Sequence, residues 1–248
     1  TNTTGNSNVA LGFDALKLNT TGANNIGIGR AALFNNTTAG NNTAVGRDAL
    51  ITSTTGGDNT ALGVAALNDN TTGSNNTSAG VSSLRSCTTG ANNVGIGHQA
   101  GNDITTGSNN VCIGSDSDAA SATTSNSITL GNSSISSLRC QVQTIGSLSD
   151  QRDKTNIVDI ADGLELINNL RPRKFTWAMR EPSANDGKTE LGFIAQELDQ
   201  AIGSKNDYMH LVDKTNPDKL EAAYSRLIPI LVKAVQDLSQ KVTALEAG

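Results

Sequence analysis

Two residues of the chain, Ser149 and Lys154, have types and a spacing that could do chemistry together. A serine hydroxyl is a weak nucleophile until a base removes its proton. A lysine can be that base when burial or a positive neighbour, here Arg152, favours its neutral amine. The pair predicts a site at which the chain cuts itself once. The alternative is an ordinary polar surface loop.

The bond that such a serine would break lies beside Ser149. Attack by Ser149 Oγ on the carbonyl of Leu148 passes through a five-membered ring and gives an ester, whereas attack on its own carbonyl needs a strained four-membered ring. Ring size therefore favours the bond between Leu148 and Ser149. A cut on the other side of the serine, before Asp150, is left open.

The composition of the chain changes close to this pair. Only two of the aromatic residues, Phe13 and Phe34, precede Ser149, and the first glutamate is Glu165. We therefore expect a repetitive arm over residues 1–131, a transitional strand segment over 132–148 and a second domain over 149–248. The formal net charge of −5 argues against nucleic-acid binding through a basic face.

The arm is a strict repeat of 17 residues. A glycine recurs at that interval at Gly12, Gly29, Gly46, Gly63, Gly80, Gly97, Gly114 and Gly131. Four places before the first seven glycines stands an asparagine, at Asn8, Asn25, Asn42, Asn59, Asn76, Asn93 and Asn110. Repeats of this length indicate a solenoid, in which stacked copies bury a core that one copy cannot bury alone.

Each repeat contains a short alternating segment that is typical of a β-strand, such as Val9-Ala10-Leu11. The glycine that follows permits a turn or a close backbone approach, and an Ala-Leu pair adds a second apolar contact. Disorder is the alternative, but the constant phase of glycine and apolar positions disfavours it. Because the copies are short for a core of their own, we expect three chains to pack together.

Other candidate sites in the arm are weak. Glycoside hydrolysis usually needs paired carboxylates. The seven aspartates of residues 1–148 are instead scattered, at Asp14, Asp48, Asp58, Asp69, Asp103, Asp116 and Asp118. His98 and His210 have no evident partners, so the sequence predicts no metal and no cofactor.

Two further features bear on where the protein acts. The sequence has no run of about 18 apolar residues, so we expect no membrane insertion. Cys87, Cys112 and Cys140 lack paired spacing and are typical of reduced thiols, with an interchain disulfide as the alternative.

The last segment, residues 221–246, carries a heptad pattern. Apolar residues alternate at intervals of four and three, at Tyr224, Ile228, Leu231, Val235, Leu238, Val242 and Leu245. This spacing favours a parallel coiled coil that joins copies of the chain. The alternative is an amphipathic helix packed on its own domain.

Three ordered motifs carry a resemblance to a known family. They are Ser149-Asp150-x-Arg152-x-Lys154-x-Asn156-Ile157, then Gly192-Phe193-Ile194-Ala195-Gln196-Glu197, then Tyr224-x-x-Leu227 before the heptad segment. Together they resemble the C-terminal intramolecular chaperone of phage endosialidases and tail fibres, which has self-cleaving relatives in eukaryotic transcription factors.

That resemblance implies a smaller α+β module that trimerises, guides folding of the β-structure before it, and then cuts itself off. Its Ser-Lys dyad maps onto Ser149 and Lys154, with Arg152 and Asn156 as supporting residues. Because the family is often described as cut just after this serine, the resemblance leaves the side of Ser149 open.

The repeats themselves resemble the β-roll heads of trimeric autotransporter adhesins, and similar repeats occur in phage tail fibres. We therefore expect a fragment of a trimeric tail fibre on a virion, assembled in the host cytoplasm, with the chaperone domain released after cleavage. Its expected partners are two further copies of the chain, the rest of the virion tail and a host surface receptor, with a saccharide as one candidate receptor. An adhesin-like stalk with a non-cleaving trimerisation domain is the alternative.

Overall fold

The computed structural model describes residues 2–139, 141, 149–178, 187–218 and 220–248. The chain divides into two compact units, Thr1–Ile135 and Ser136–Gly248. We call them the arm and, after the resemblance described above, the chaperone unit. In the described part of the chain, none of the helices has both the length and the apolar character needed to cross a bilayer.

The arm is a parallel β-solenoid with one short strand in each coil. The strands are β1 Val9–Leu11, β2 Ile26–Ile28, β3 Thr43–Val45, β4 Thr60–Leu62, β5 Thr77–Ala79, β6 Val94–Ile96, β7 Val111–Ile113 and β8 Ile128–Leu130. Each strand pairs with the next one along the chain, so their order in the sheet is their order in the sequence. Every residue meets the residue 17 positions later, as Ala44 meets Ala61. The predicted solenoid is confirmed.

The interior of the solenoid is built from the middle residue of each strand and from the Ala-Leu pair. Ala44 in β3, with Ala49 and Leu50 after it, is fully buried, and the same positions recur in the neighbouring coils. They stack into one continuous core within a single chain. The stacked coils of one chain therefore bury this core without a second chain. The reason given for expecting three chains is wrong, while the packing of three chains itself stays a prediction.

Those tight turns place several residues in the left-handed region. Ala65 and Leu67 have φ of 55° and 49°. A left-handed residue other than glycine costs about 1–2 kcal/mol. Full burial of a leucine contributes about 1.5–3 kcal/mol, which is enough to hold Leu67 in this conformation.

Glycine is required where successive coils approach most closely. Gly63 has φ of 144°, and a Cβ added to it would lie 2.3 Å from the carbonyl oxygen of Gly80 in the next coil. No side chain fits there without moving the backbone. The 17-residue glycine repeat therefore marks the contact between adjacent coils.

The repeated asparagine forms a buried hydrogen-bonded ladder. Asn59 Nδ2 donates to the carbonyl oxygen of Gly73 at 2.9 Å. Asn59 Oδ1 accepts from the backbone N–H of Asn76, also at 2.9 Å. Because buried backbone groups need partners, each asparagine satisfies one donor and one acceptor that the turn leaves unpaired. The ladder joins each coil to the next.

The chaperone unit is a small α+β assembly. Its helices are α1 Leu164–Asn169, α2 Ala195–Ile202, α3 Asn206–Met209 and α4 Ile228–Glu246, and its strands are β9 Arg173–Thr176, β10 Thr189–Gly192, β11 Val212–Asp213 and β12 Glu221–Ala222. The strands pair as two antiparallel hairpins, β9 with β10 and β11 with β12. The core contains Leu166, Leu198, Ile202, Met209, Leu211, Val212, Leu227 and Ile230.

The terminal helix begins later than the heptad pattern predicted. The segment was expected to be helical from residue 221, but Glu221 and Ala222 form β12. A 3-10 turn over Tyr224–Leu227 leads into α4 at Ile228, where Pro229 suits the first helical turn. Pairing with β11 therefore overrides the start of the heptad pattern.

The predicted strand segment between the two units is only partly described. Residues 132–139 and 141 contain no strand. Cys140 and residues 142–148 lie outside the described residues, so this segment and its boundaries stay a prediction.

Candidate functional site

The predicted dyad is brought together by one short turn. Residues Gln151–Asp153 form a 3-10 turn, and the N–H of Lys154 closes it by donating to the carbonyl of Gln151 at 3.1 Å. The two ends of the turn then face each other. Lys154 Nζ donates a hydrogen bond to Ser149 Oγ at 2.5 Å.

The turn is held by a pair of opposite charges inside it. Asp150 caps the turn by accepting from the backbone N–H of Arg152 at 2.8 Å, and its carboxylate also accepts from Arg152 Nε at 3.0 Å. Hydrogen bonds from the Arg152 side chain and backbone lower the pKa of Asp150, which is therefore ionised at neutral pH. Asp150 and Arg152 thus shape the loop that positions Ser149 and Lys154.

This pairing decides which role Arg152 has. The sequence left two roles open for its positive charge: a neighbour that would favour the neutral amine of Lys154, or a salt bridge with Asp150 that positions the loop. In the structure, the guanidinium lies against the Asp150 carboxylate, which balances the charge. Arg152 therefore gives Lys154 no unopposed positive neighbour.

Ser149 Oγ and Lys154 Nζ are in contact, but both side chains are exposed to water in the single chain. A general base must accept the hydroxyl proton, so Lys154 can act in this role only as the neutral amine. Exclusion of water favours the neutral amine. Activation of this pair would thus require cover from outside the loop.

The structure describes Asn156 of the first motif but not Leu148, the residue that precedes the motif. Asn156 is exposed and left-handed, with φ of 54°, a conformation that asparagine tolerates better than most residues. Its place is two residues beyond Lys154. Leu148, whose carbonyl the serine would attack, lies outside the described residues.

The second and third motifs meet at Tyr224. Its hydroxyl donates to the carbonyl of Phe193 at 2.9 Å and accepts from the N–H of Phe193 at 3.1 Å. The two rings pack edge to face with centroids 5.6 Å apart. Gly192 leaves room for this contact, because a Cβ there would lie 3.0 Å from the tyrosine hydroxyl. Tyr224 therefore ties the start of α2 to the start of the terminal helix.

Glu197, the last residue of the second motif, is an anchor for arginine. It accepts from Arg173 Nε at 2.8 Å and from Arg173 Nη2, and Arg171 Nη1 lies 3.6 Å away. These hydrogen bonds lower the pKa of Glu197. The pair joins β9 to α2, so a structural role explains this glutamate.

The heptad residues lie on the open side of α4. Ile230 and Ala234 of the same helix face the core, whereas Val235 is 66% and Leu238 50% exposed. All seven heptad residues, Tyr224 to Leu245, are more than 40% exposed. At its first end this row joins an apolar groove of about 740 Å³ that Leu191, Phe193 and Leu231 line. The helix packs on its own domain with a face other than the heptad row.

Several contacts between distant residues had no sequence signal. Asp237 on α4 accepts from the N–H of Leu164 at 3.2 Å and so caps α1, 73 residues away. Asp162 receives hydrogen bonds from Lys205 and Tyr208, which lower its pKa. Charge and polarity alone do not reveal such pairs, because many side chains of each kind are available.

The arm places its polar residues in surface pairs. Arg30 contacts Asp48 at 2.8 Å, and His98 Nδ1 lies 3.7 Å from Asp116. Over the described residues, no three His, Cys, Asp or Glu side chains come together as a metal site would need. Cys87 and Cys112 are buried free thiols, and burial raises the pKa of each to about 11.

Comparison with known families identifies one part of the chain. Residues 149–205 match the model of the Peptidase_S74 family, described as chaperone of endosialidase. The match includes the first two motifs, while Tyr224 and the heptad row lie beyond it. No curated protein and no solved structure matches the chain.

Proposed function

We propose that the endosialidase-chaperone domain at residues 149–205, which follows a parallel β-solenoid, assembles three chains into a phage tail fibre and then releases itself by self-cleavage beside Ser149. The observation that carries the cleavage is the 2.5 Å contact between Lys154 Nζ and Ser149 Oγ. The arm then stays as the fibre, and the chaperone unit is discarded after assembly.

The proposed chemistry is one acyl transfer followed by hydrolysis. The neutral amine of Lys154 takes the proton of Ser149 Oγ, and the oxygen attacks the carbonyl carbon of Leu148. The carbon–nitrogen bond breaks, and the nitrogen of Ser149 leaves with the proton that the lysine carried. Water then hydrolyses the resulting ester. The products are a new carboxylate on Leu148 and a free amine on Ser149.

The exposed heptad row supports the trimer. A row of large apolar side chains along α4 is costly to leave in water, and its intervals of four and three suit a parallel coiled coil. Three chains joined there would hold their arms at high effective concentration. The proposed trimer also supplies the cover that the exposed dyad lacks in one chain.

A fibre of near-identical coils needs such a guide. Because each coil repeats the same pattern, two arms shifted by 17 residues still place similar residues opposite each other. A joint at one fixed point of the chain selects one register. Removal of the joint afterwards makes unfolding hard to reverse, which leaves the fibre kinetically stable.

The test is the size of the expressed chain on a denaturing gel. We expect the parent to give two fragments, while Ser149→Ala and Lys154→Arg each give one band. Arginine keeps the positive charge and the hydrogen bond but cannot act as a base. Ser136→Ala, an exposed serine outside the dyad, is the control and should cleave like the parent.

The outcomes separate the parts of the proposal. One band for every variant, the parent included, would rule out self-cleavage. Cleavage of Lys154→Arg at the rate of the parent would show that the lysine is not the base. One band for the parent, together with a trimer in light scattering, would favour the second candidate, a stalk whose C-terminal domain trimerises and stays attached. The exposure of both dyad residues favours this candidate.

The wider context belongs to the same proposal. A tail fibre joins the rest of the virion tail and binds a receptor on the host surface. Columns of exposed threonine and asparagine on the arm, such as Thr72 and Asn75, could contact a saccharide receptor. The same columns equally serve the turns of the solenoid.

A further inference from the structure

The strands of the arm present an uncharged outer face along its whole length. We call it the outer strand face and define it by the first and third residues of β1 to β8. The third residues are Leu11, Ile28, Val45, Leu62, Ala79, Ile96, Ile113 and Leu130, and the first are Val9, Ile26, Thr43, Thr60, Thr77, Val94, Val111 and Ile128. The middle residue of most strands is buried, so these two columns point outward.

The apolar column of this face is open to solvent. Leu62, Ile96 and Ile113 are each between 41% and 43% exposed, although branched apolar side chains of this size are usually buried. A soluble surface gains nothing from a column in which seven of the eight residues are branched and apolar. Their exposure indicates that something covers the face in the assembled protein.

A polar column borders one side of the outer strand face. Two residues before the strands stands a column that is asparagine in most coils, such as Asn75 and Asn92. The column two residues after the strands is mixed, with Arg30, Arg47 and His98 beside Phe13, Val64 and Val81. An uncharged centre with polar residues at its rim is the usual composition of a protein interface. None of the charged side chains of the arm lies on this face.

The size of the face fits an extended contact. Eight strands at a spacing of about 4.8 Å give a column about 34 Å long, and the two columns lie about 7 Å apart along each strand. A strip of this length with flanking side chains reaches the few hundred Å² at which apolar patches mark interaction sites.

We propose that the outer strand faces of three chains pack against one another, in parallel and in register, as the contact between their arms. The argument for a second copy as the occupant is the spacing. Only a partner with the same rise per coil meets like residues at all eight levels, and another arm has that rise. This inference rests on the proposed trimer and adds which surface of the arm forms it.

Thiol cross-linking tests the proposal on the full chain carrying Ser149→Ala, which keeps it in one piece. Ile96→Cys places a thiol on the outer strand face, and Thr106→Cys places one on an exposed turn of the same coil. With a short bismaleimide, we expect at least about fivefold more cross-linked dimer and trimer from Ile96→Cys, because the packed face raises the effective thiol concentration. Of the native thiols, Cys87 and Cys112 are buried, and the parent treated alike gives the background from these two and from Cys140.

Light scattering on the same samples separates the two levels of the proposal. A trimer whose Ile96→Cys cross-links no better than Thr106→Cys would overturn the packing of the outer strand faces and leave the trimer standing. A monomer would overturn both. If Ile96→Cys loses the β-signal in circular dichroism, Leu62→Cys with Thr72→Cys as its control replaces the pair.

Discussion

The two units of the chain are each held together by a different kind of contact. In the arm, hydrogen bonds repeat at a constant offset, as Asn59 to Asn76 and Asn76 to Asn93 each span 17 residues. In the chaperone unit each contact is unique, and Asp237 reaches α1 across 73 residues. Because the coils of the arm are alike, their contacts do not fix which coils of two neighbouring arms lie opposite each other. The contacts within the chaperone unit all differ, so they fix a single fold.

Each unit also leaves one apolar surface exposed. The arm pairs the ladder asparagines Asn25 to Asn110 within one chain and leaves the outer strand face exposed. The chaperone unit covers one side of α4 and leaves the heptad row exposed. Both surfaces are apolar, and both repeat at an interval that another copy of the chain would match.

One probe distinguishes the two units during unfolding. Trp177, the single tryptophan, lies in the chaperone unit, where its Nε1 donates to Glu190 at 3.1 Å and its ring packs edge to face on Phe175. Tryptophan fluorescence in urea therefore follows the chaperone unit. Far-UV circular dichroism reports both units, and the part of its change that does not coincide with the Trp177 transition, which we call the β-signal, follows the arm. A substitution in one unit should shift the urea midpoint of that unit's signal and leave the other midpoint unchanged.

The largest expected effect comes from Gly63→Ala in the arm. The new Cβ would lie 2.3 Å from the carbonyl oxygen of Gly80 and would force a left-handed φ on alanine. Strain and overpacking together should lower the free energy of unfolding by about 4 kcal/mol. The β-signal should be lost at lower urea, and the Trp177 transition should stay.

The matched control is Gly187→Ala in the chaperone unit. Gly187 has φ of 77°, but nothing lies within 4 Å of an added Cβ. Its cost should be only the left-handed backbone of about 1 kcal/mol. Equal losses for the two variants would mean that contact between coils does not decide the glycine repeat.

Asn59→Ala should have the next largest effect. It removes a buried donor to Gly73 and a buried acceptor for Asn76, and each group left unpaired costs about 1–3 kcal/mol. We expect the free energy of unfolding of the arm to fall by about 2–4 kcal/mol in urea melts followed by circular dichroism. Thr72→Ala, an exposed residue of the next coil, should change it by less than about 0.5 kcal/mol. A loss for Asn59→Ala as small as that of the control would show that the ladder does not hold the coils.

The smallest expected effect is a difference in acid sensitivity. Basic partners lower the pKa of Asp162, Glu197 and Asp237, all in the chaperone unit. A carboxyl group whose pKa is lowered by folding stabilises the fold above its ordinary pKa, and this stability is lost as pH falls through the folded pKa. The ordinary values are 4.5 for glutamate and 3.8 for aspartate, so the loss begins below pH 4.5.

The arm should respond in the opposite direction. Burial raises the pKa of Asp118, so its protonation as pH falls relieves a cost of folding. Between about pH 6 and pH 3 the urea midpoint of the Trp177 signal should fall, and the midpoint of the β-signal should hold or rise. A parallel fall of both midpoints would contradict this difference between the units.

The solenoid fold of the arm was predictable because the glycine and the apolar positions share one 17-residue period. It could not predict that Leu67 sits left-handed, since that conformation depends on burial by neighbouring coils. Nor could it show that a single chain closes the core, because the number of chains depends on how tightly each coil turns.

The contact between Ser149 and Lys154 was predictable from the sequence, whereas the surroundings of the pair were not. The spacing of Ser149 and Lys154 matches one turn, and the structure brings the two side chains into contact. The sequence did not show whether Arg152 would act on Lys154 or pair with Asp150. In the structure it pairs with the Asp150 carboxylate. The start of α4 at Ile228 depends on the pairing of β12 with β11, which a heptad pattern does not register.

Intact-mass spectrometry of the purified full chain tests the central claim most directly. The account predicts two masses that meet at a bond beside Ser149 and add up to the whole chain plus one water. It also predicts a single mass for Ser149→Ala. A single, uncut mass for the parent and for Ser149→Ala alike would contradict it.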